Sequence, residues 1–529
     1  MDAVKVICYH TEKQFDTKSA VPAGLRTVVA VFNISIIRRE EMIRNKITRR
    51  FFIGGSAAFG AFGGSGLLRA ASLFRPGEAP KLKFGVISDV HVIWNTNRET
   101  FRHTLEYFRD NGVDAVMICG DIVDLGLVSD LEDVAADWQS VFPGNRAPDG
   151  RHVEKIFVTG NHDWIGHIYG TRVKNKYPDQ ADYAKNILQT DLKGNWERIF
   201  NEPFAPVYIK DVKGYKFVGA HWIMNDCNGR SENFNGGIKD FYLKHAKDFD
   251  PALPFFHAQH PHPKDTCYGP MAWGRDNGVT TEMLSAYPNA VAFSGHSHYA
   301  LTDERTVWQG AFTSIGTSSL RYSAIPNFGP APGYENYSKY DEGKVMRRLD
   351  TSDGRQGMLV SVYDDAISIS RREFCTDQPL GSDWVIPLPA AESKPFAYAE
   401  RAKSSIAPEF APGGVVTVAK GRGKSRGTRK TPPAEKDIYN LRFPAALSTG
   451  KTRAFEYRLV FTGRDGRREE RRLAAPGFHM PAGHKRATGE VKCSFIAESL
   501  PAAPFTVEVS ALTSFKKEGA PIKGEFTGA

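Results

Sequence analysis

Lys83-Phe84-Gly85-Val86-Ile87-Ser88-Asp89-Val90-His91 is a short apolar run that stops on a carboxylate and, two residues later, an imidazole. About five residues rich in Val, Ile and Phe, closed by a polar cluster, read as a strand buried on both faces. The pattern returns along the chain. Residues 115–119 (AVMIC) run into Gly120-Asp121, and residues 155–159 (KIFVT) into Gly160-Asn161-His162-Asp163. Residues 216–220 (KFVGA) form another such run; residues 255–259 (FFHAQ) lead to His260-Pro261-His262, and residues 290–294 (AVAFS) to Gly295-His296-Ser297-His298. Between the first two runs, residues 99–111 place Phe101, Leu105 and Phe108 at helical spacing, with Gly112 as C-cap. Strand, helix, strand predicts an α/β domain with its polar residues gathered at the carboxyl ends of strands. Residues 310–315 and 357–371 are strand-like without long helices between them.

The strand ends carry the chemistry. Carboxylates, imidazoles and an amide oxygen, with no thiolate, make a hard-to-borderline ligand set. Seven candidate ligands (Asp89, His91, Asp121, Asn161, His260, His296, His298) exceed what one ion takes, and a shared carboxylate such as Asp121 can bridge two cations about 3.5–4 Å apart. One Asp-x-His would mean little, and a lone histidine at a strand end is usually structural. Five motifs, each closing an apolar run, are a different matter. The gaps of 30 residues from His91 to Asp121 and 40 from Asp121 to Asn161 each fit one strand-helix unit.

The ordered set D-x-H, G-D, G-N-H-D, H, G-H-x-H resembles the calcineurin-like metallophosphoesterases, over roughly residues 81–373. The resemblance implies a four-layer α/β/β/α sandwich with a dinuclear site at the strand ends. It implies hydrolysis of phosphomonoesters or phosphodiesters by a hydroxide held between two divalent ions (Mn, Fe or Zn). Carried over, Asp89, His91, Asp121 and His298 would hold the first metal, and Asp121, Asn161, His260 and His296 the second. His162 matches the family's catalytic histidine, and Asp163 is expected to orient it. His257 and His262 compete with His260; His260 is preferred because it terminates its apolar run. Asp124 stands where purple acid phosphatases have a Tyr ligand, which argues against a charge-transfer Fe(III) site and for a supporting carboxylate or a helix N-cap. Arg321 and Tyr322 are candidate substrate contacts. Residues 264–269 could border the site, and residues 163–215 form either a lid or a helical insertion with its own small core.

At 529 residues with 41% hydrophobic and 24% charged, the chain has a globular composition and room for about three domains. Its +9 charge is concentrated: residues 1–79 hold twelve Lys/Arg against six acids, leaving only +3 for the remaining 450. That balance does not support a nucleic-acid partner. Arg49-Arg50 before eighteen uncharged residues, 51–68, resembles a twin-arginine export signal. The expectation is a protein delivered by the twin-arginine machinery to the periplasm or cell exterior, with no stable transmembrane span after cleavage and a membrane tether if the signal is uncleaved. Met42 is a better start for such a signal than Met1, so residues 1–41 read as a mis-assigned leader, 42–79 as signal and 80–375 as the phosphoesterase domain. Residues 376–437 read as a linker whose basic stretch KGRGKSRGTRK (420–430) is either solvated or binds polyanions. Residues 455–462, 490–495 and 505–512 alternate apolar and polar positions, so residues 438–529 are expected to be an all-β, immunoglobulin- or fibronectin III-like sandwich. A second reading makes the protein an extracytoplasmic surface-binding scaffold whose catalysis is incidental.

Overall fold

The computed structural model describes residues 78–167, 185–223, 237–269, 272–324, 353–424, 432–449 and 452–528. The leader and all of the signal segment but residues 78 and 79 lie outside them, as does much of the possible lid. Among the described residues no helix is long and apolar enough to cross a membrane.

The first strands are β1 (Leu82–Ile87), β2 (Ala115–Cys119), β3 (Glu154–Val158), β4 (Val207–Val212), β5 (Tyr215–Ala220), β6 (Phe256–Ala258) and β7 (Val291–Ser294). They continue with β8 (Val307–Gln309), β9 (Thr313–Gly316), β10 (Gln356–Val362), β11 (Ala366–Glu373), β12 (Gln378–Pro379) and β13 (Trp384–Pro387). One sheet runs β12-β11-β10-β1-β2-β3, with β13 also on β11, and a second runs β4-β5-β6-β7-β9-β8. β1, β2 and β3 are parallel, as are β5, β6, β7 and β9, so in each sheet the carboxyl ends of these neighbours share an edge.

Strand alternation builds the layers. Leu82, Phe84 and Val86 on β1, Met117 on β2 and Ile156 on β3 share one core with Phe217, Phe256, Phe293 and Ile315 of the other sheet. Phe84 stitches the two, its ring 5.0 Å from Phe217 and 4.6 Å from Phe256. On the opposite face Val116, Ile118 and Phe157 pack against helices α1 (Arg98–Asp110) and α2 (Val128–Val141) and, with Trp196 and Phe200, α3 (Leu192–Phe200). Gly85 also points that way, and any side chain there would collide with Phe108 of α1. Behind the second sheet, Val218, Ala220 and Ala292 meet Tyr242 of α4 (Gly237–Lys244) and Leu284 of α5 (Val279–Leu284). The result is the α/β/β/α arrangement. The described part of the segment between Asp163 and Tyr215 supplies α3 to this core rather than forming one of its own.

The stretch 376–437 is not a linker. β12 and β13 extend the first sheet, α6 (Tyr398–Ser404) follows, and β14 (Thr417–Lys424) pairs along its length with β15 (Glu435–Pro444). Lys420 and Arg422 flank Asp437 across that pairing, at 3.5 and 2.8 Å. The basic residues therefore belong to a charged edge strand, a common guard against edge-to-edge association; residues 425–431 lie outside the described residues. The C-terminal part continues with β16 (Glu456–Gly463), β17 (Arg468–Ala474), β18 (Glu490–Ile496), β19 (Phe505–Leu512) and β20 (Ile522–Phe526). Sheets β14-β15-β18 and β17-β16-β19-β20 enclose one core that includes Phe443, Leu459, Phe461, Phe495 and Val507. Ala300, two residues past His298, is part of it.

Candidate metal centre

The chain leaves its strands sharply at the polar motifs. Asp89, His91, Asp121, His296 and His298 all take left-handed backbone angles, φ 49–69°. Such angles cost non-glycine residues on the order of 1 kcal/mol or more each and persist where surrounding contacts hold them. Here the loops brace one another. The Asp89 and His91 amides donate to the Gly120 and Asp121 carbonyls (both 3.0 Å), and the Gly295 amide donates to the His260 carbonyl (2.9 Å). The carboxylates join in, Asp121 Oδ1 accepting from the His162 amide (2.7 Å) and Asp89 Oδ2 from the His296 amide (3.0 Å). The motif glycines allow this closeness: a Cβ at Gly120 would strike the His260 ring, and one at Gly295 would strike Ser88 and Asp89.

Among the described residues three groups of side chains result, one of them His91, Asp124 and His162, and the other two share Asp121. In the first of these two, ligand atoms of Asp89, His91, Asp121 and His298 lie within 4.8 Å of one another; in the second, those of Asp121, His260 and His296 do. Asn161 joins the second group, its Oδ1 3.1 Å from His260 Nε2. The outer hydrogen bonds decide what the inner nitrogens are. His91 Nδ1–H donates to Asp124 Oδ1 (2.9 Å), His260 Nδ1–H to the Cys119 carbonyl (2.8 Å) and His298 Nδ1–H to the Tyr322 carbonyl (3.1 Å). Each neutral ring therefore turns a lone pair inward. His91 Nε2 and His298 Nε2 face each other at 3.2 Å, and His260 Nε2 faces Asp121 Oδ2 at 3.2 Å and His296 Nδ1 at 3.1 Å. Asp89 Oδ1, buried and 2.9 Å from His298 Nε2, accepts no hydrogen bond. Lone pairs packed this closely need positive charge between them.

Titration behaviour reflects the same need. Burial works against charge on Asp89 and Asp121, yet His298 beside the first and His260 beside the second hold both well below the usual carboxylate range. Burial likewise opposes a proton on His260, but Asp121 and Asp89 push it up to about 9; at His91, Asp124 and Asp89 overcome burial and raise it. Burial and the neighbouring His260 push His296 well down. A proton is thus favoured on His91 and His260 and disfavoured on His296, and the positive charge gathers beside the Asp89 and Asp121 carboxylates, where divalent cations would otherwise supply it.

Asp124 is the supporting carboxylate. Besides His91 it lies 3.4 Å from His162 Nδ1 and 2.7 Å from Arg321 Nη1, and its carbonyl accepts from His162 Nδ1 at 2.9 Å. His162 keeps a quarter of its side chain exposed. Burial would lower its pKa, but Asp121 and Asp124 raise it to about 10. Asp163, expected to orient His162, does other work. Its carboxylate turns inward to accept from the amides of Gly160 (2.7 Å), Val123 (2.9 Å) and Ile122 (3.3 Å), tying two ligand loops together. Burial and the neighbouring Asp121 push it up to about 7.

His257 and His262, the alternatives to His260, are buried away from both groups. His257 bonds Tyr242 Oη (2.9 Å) and Gln259 Oε1 (3.0 Å), while His262 lies between the hydroxyls of Ser294 and Ser297, both at 2.7 Å. Residues 264–269 sit beside His262, Cys267 Sγ being 3.6 Å from its Nδ1. Tyr322 lies over His298, the ring centroids 4.3 Å apart and the planes tilted by 33°. Trp273 stacks on His296 at 4.1 Å with only 7° between the planes, and no spacing in the sequence signals it.

Residues 82–300 match the family model for calcineurin-like phosphoesterases. Over 58% of its length the chain resembles a dimetal phosphatase from Danio rerio (12% identity, 99% of that chain, TM-score 0.34). It also resembles GAP50, the anchor in the inner membrane complex of Plasmodium (11% identity, 58% of this chain and 88% of that one, TM-score 0.35). A third likeness is to purple acid phosphatase PPD1 from seeds of yellow lupin, Lupinus luteus (13% identity, 58% of this chain and 53% of that one, TM-score 0.35). No curated protein matches.

Proposed function

We propose that this chain, which carries a calcineurin-like phosphoesterase domain over residues 82–300, hydrolyses phosphomonoesters or phosphodiesters with two divalent metal ions. The observation that carries the reading is the convergence of the lone pairs of His91, His260 and His298 on the carboxylates of Asp89 and Asp121, each ring held in that tautomer from outside. Asp89, His91, Asp121 and His298 would hold one ion and Asp121, Asn161, His260 and His296 the other, with Asp121 shared. When bound, the ions supply charge neutralisation for the phosphoryl oxygens and lower the pKa of a water nucleophile toward about 7.

The remaining work falls to the protein. Asp124 fixes the His91 ring and, through its carbonyl, directs His162 Nδ1–H away from the site. The proton for the leaving oxygen then comes from His162 Nε2, a transfer typically worth about 10²–10⁴-fold. Asp163 keeps the loops that carry Asp121 and His162 in register.

The test is turnover of p-nitrophenyl phosphate and bis-p-nitrophenyl phosphate by protein loaded with Mn, Fe or Zn. At least one ester should be hydrolysed, and His162→Ala should keep both metals while kcat falls about 10²–10⁴-fold. Failure on both esters with two metals bound would refute the hydrolase reading, and undiminished turnover in His162→Ala would refute its role as acid.

A further inference from the structure

Among the described residues, three aromatic side chains are exposed: Trp94, Trp273 and Tyr322. All three lie on the loops of the metal centre. Trp94 is three residues beyond His91, Trp273 lies flat on His296, and Tyr322 covers His298 while its carbonyl holds that ring. Trp273 keeps 52% and Tyr322 41% of its surface in solvent. Large aromatic side chains normally bury 150–250 Å², and a ring needed only to brace a histidine gains by being covered. Trp222 shows that alternative, partly buried against the same His296 (5.7 Å) and His260 (6.1 Å). The exposed rings thus carry flat apolar surface to the edge of a site that is otherwise charged. Arg321, beside Tyr322 and paired with Asp124, adds a cation on that side.

Resting on the phosphoesterase reading, we infer that Trp273 and Tyr322 are stacking walls for the organic group of the substrate, and that this group carries a planar aromatic ring of the nucleobase kind. Separate flat rings at the two ligand histidines suit a rigid ring stacked on one or the other. An alkyl chain would call instead for a continuous apolar groove. Stacking also tolerates different bases, because every base has a π-face.

The experiment uses the full chain loaded with metal and two substrates whose phosphate leaves from the same kind of alcohol, a primary ribose 5-hydroxyl: adenosine 5′-monophosphate and ribose 5-phosphate, with their methyl diesters if the enzyme is a diesterase. The wild-type protein should favour the adenosine compound in kcat/KM. Removing the wall the base stacks on, by Trp273→Ala or by Tyr322→Ala, should shrink that preference by roughly 5- to 150-fold, whatever loss both substrates share, and Trp273→Phe should keep most of it. Tryptophan fluorescence reads stacking without turnover: adenosine 5′-monophosphate should quench it in the wild type and less so in Trp273→Phe, whereas ribose 5-phosphate should not. Quenching without turnover of either compound would overturn the hydrolase reading and leave the aromatic site standing. Turnover with an unchanged preference in both alanine variants, or a wild-type preference for ribose 5-phosphate, would overturn the aromatic site alone.

Discussion

His260 and His262 are two residues apart and equally buried, yet they belong to regions governed by opposite rules. In the front region, His91, His260 and His298 each spend one nitrogen on a fixed acceptor and turn the other toward carboxylates and further imidazoles. In the layer behind, His257 and His262 have both nitrogens engaged by neutral groups. Burial pushes His257 down to about 4 and, outweighing the pull of Asp89, His262 to about 3, whereas His260 beside Asp121 rises to about 9. A buried histidine is thus made a ligand or a strut by what its second nitrogen meets. The front region gathers charge that metal would balance; the back region avoids charge and holds the front in place.

Asp121→Ala should break the front region most completely. It removes the carboxylate shared by both groups, so bound metal should fall below two ions per chain and kcat/KM should drop on the order of 10³-fold or more, read by elemental analysis and initial rates. Asp124→Asn comes next, since it weakens the anchor of the His91 ring without removing a ligand. Metal affinity measured by competition with a chelator should fall about 10–100-fold.

The back region is read by pH. Folded His257 takes its proton near 4 and the unfolded chain near 6.5, so the unfolded state binds more protons between those values. Stability therefore falls as pH drops from 6.5 to 4, by up to about 3 kcal/mol from this residue. Glu373, pushed by burial to about 7, acts in the opposite sense, its share being lost as pH rises from 4.5 to 7. Comparing urea unfolding of wild type and His257→Gln across pH 4–7 isolates the histidine; parallel curves would show that it does not titrate as described. The smallest effect is expected from Ser297→Ala, which takes one hydroxyl from His262. A loss of about 1 kcal/mol in stability is expected, with metal content unchanged.

Much of the front region could be read from sequence because buried parallel strands are apolar runs and their ends are abrupt. The run at 115–119 coincides with β2, and those at 83–88 and 155–159 lie one residue from β1 and β3. What escaped has no local signature. Asp163 takes one amide from Gly160, three residues back, but its other two lie 40 and 41 residues earlier in the chain, so its neighbour His162 was the natural but mistaken partner. Trp273 meets His296 only through the fold. β14 and β17 were missed for another reason: both are edge strands dense in charged residues, and neither presents the apolar alternation by which a half-buried strand is recognised.

The contact between the ligand loop and the C-terminal sheets has a consequence for how the protein is made. Thr302 Oγ1 donates to the Phe478 carbonyl (2.6 Å), and Gln356 bridges Leu301 to the His479 carbonyl. Thr302 and Phe478 are 176 residues apart in the chain. At about 5–20 residues per second a ribosome needs roughly 10–35 s to cover that distance. For that interval a nascent chain holds all seven candidate ligands while the turn that braces their last loop has yet to be completed.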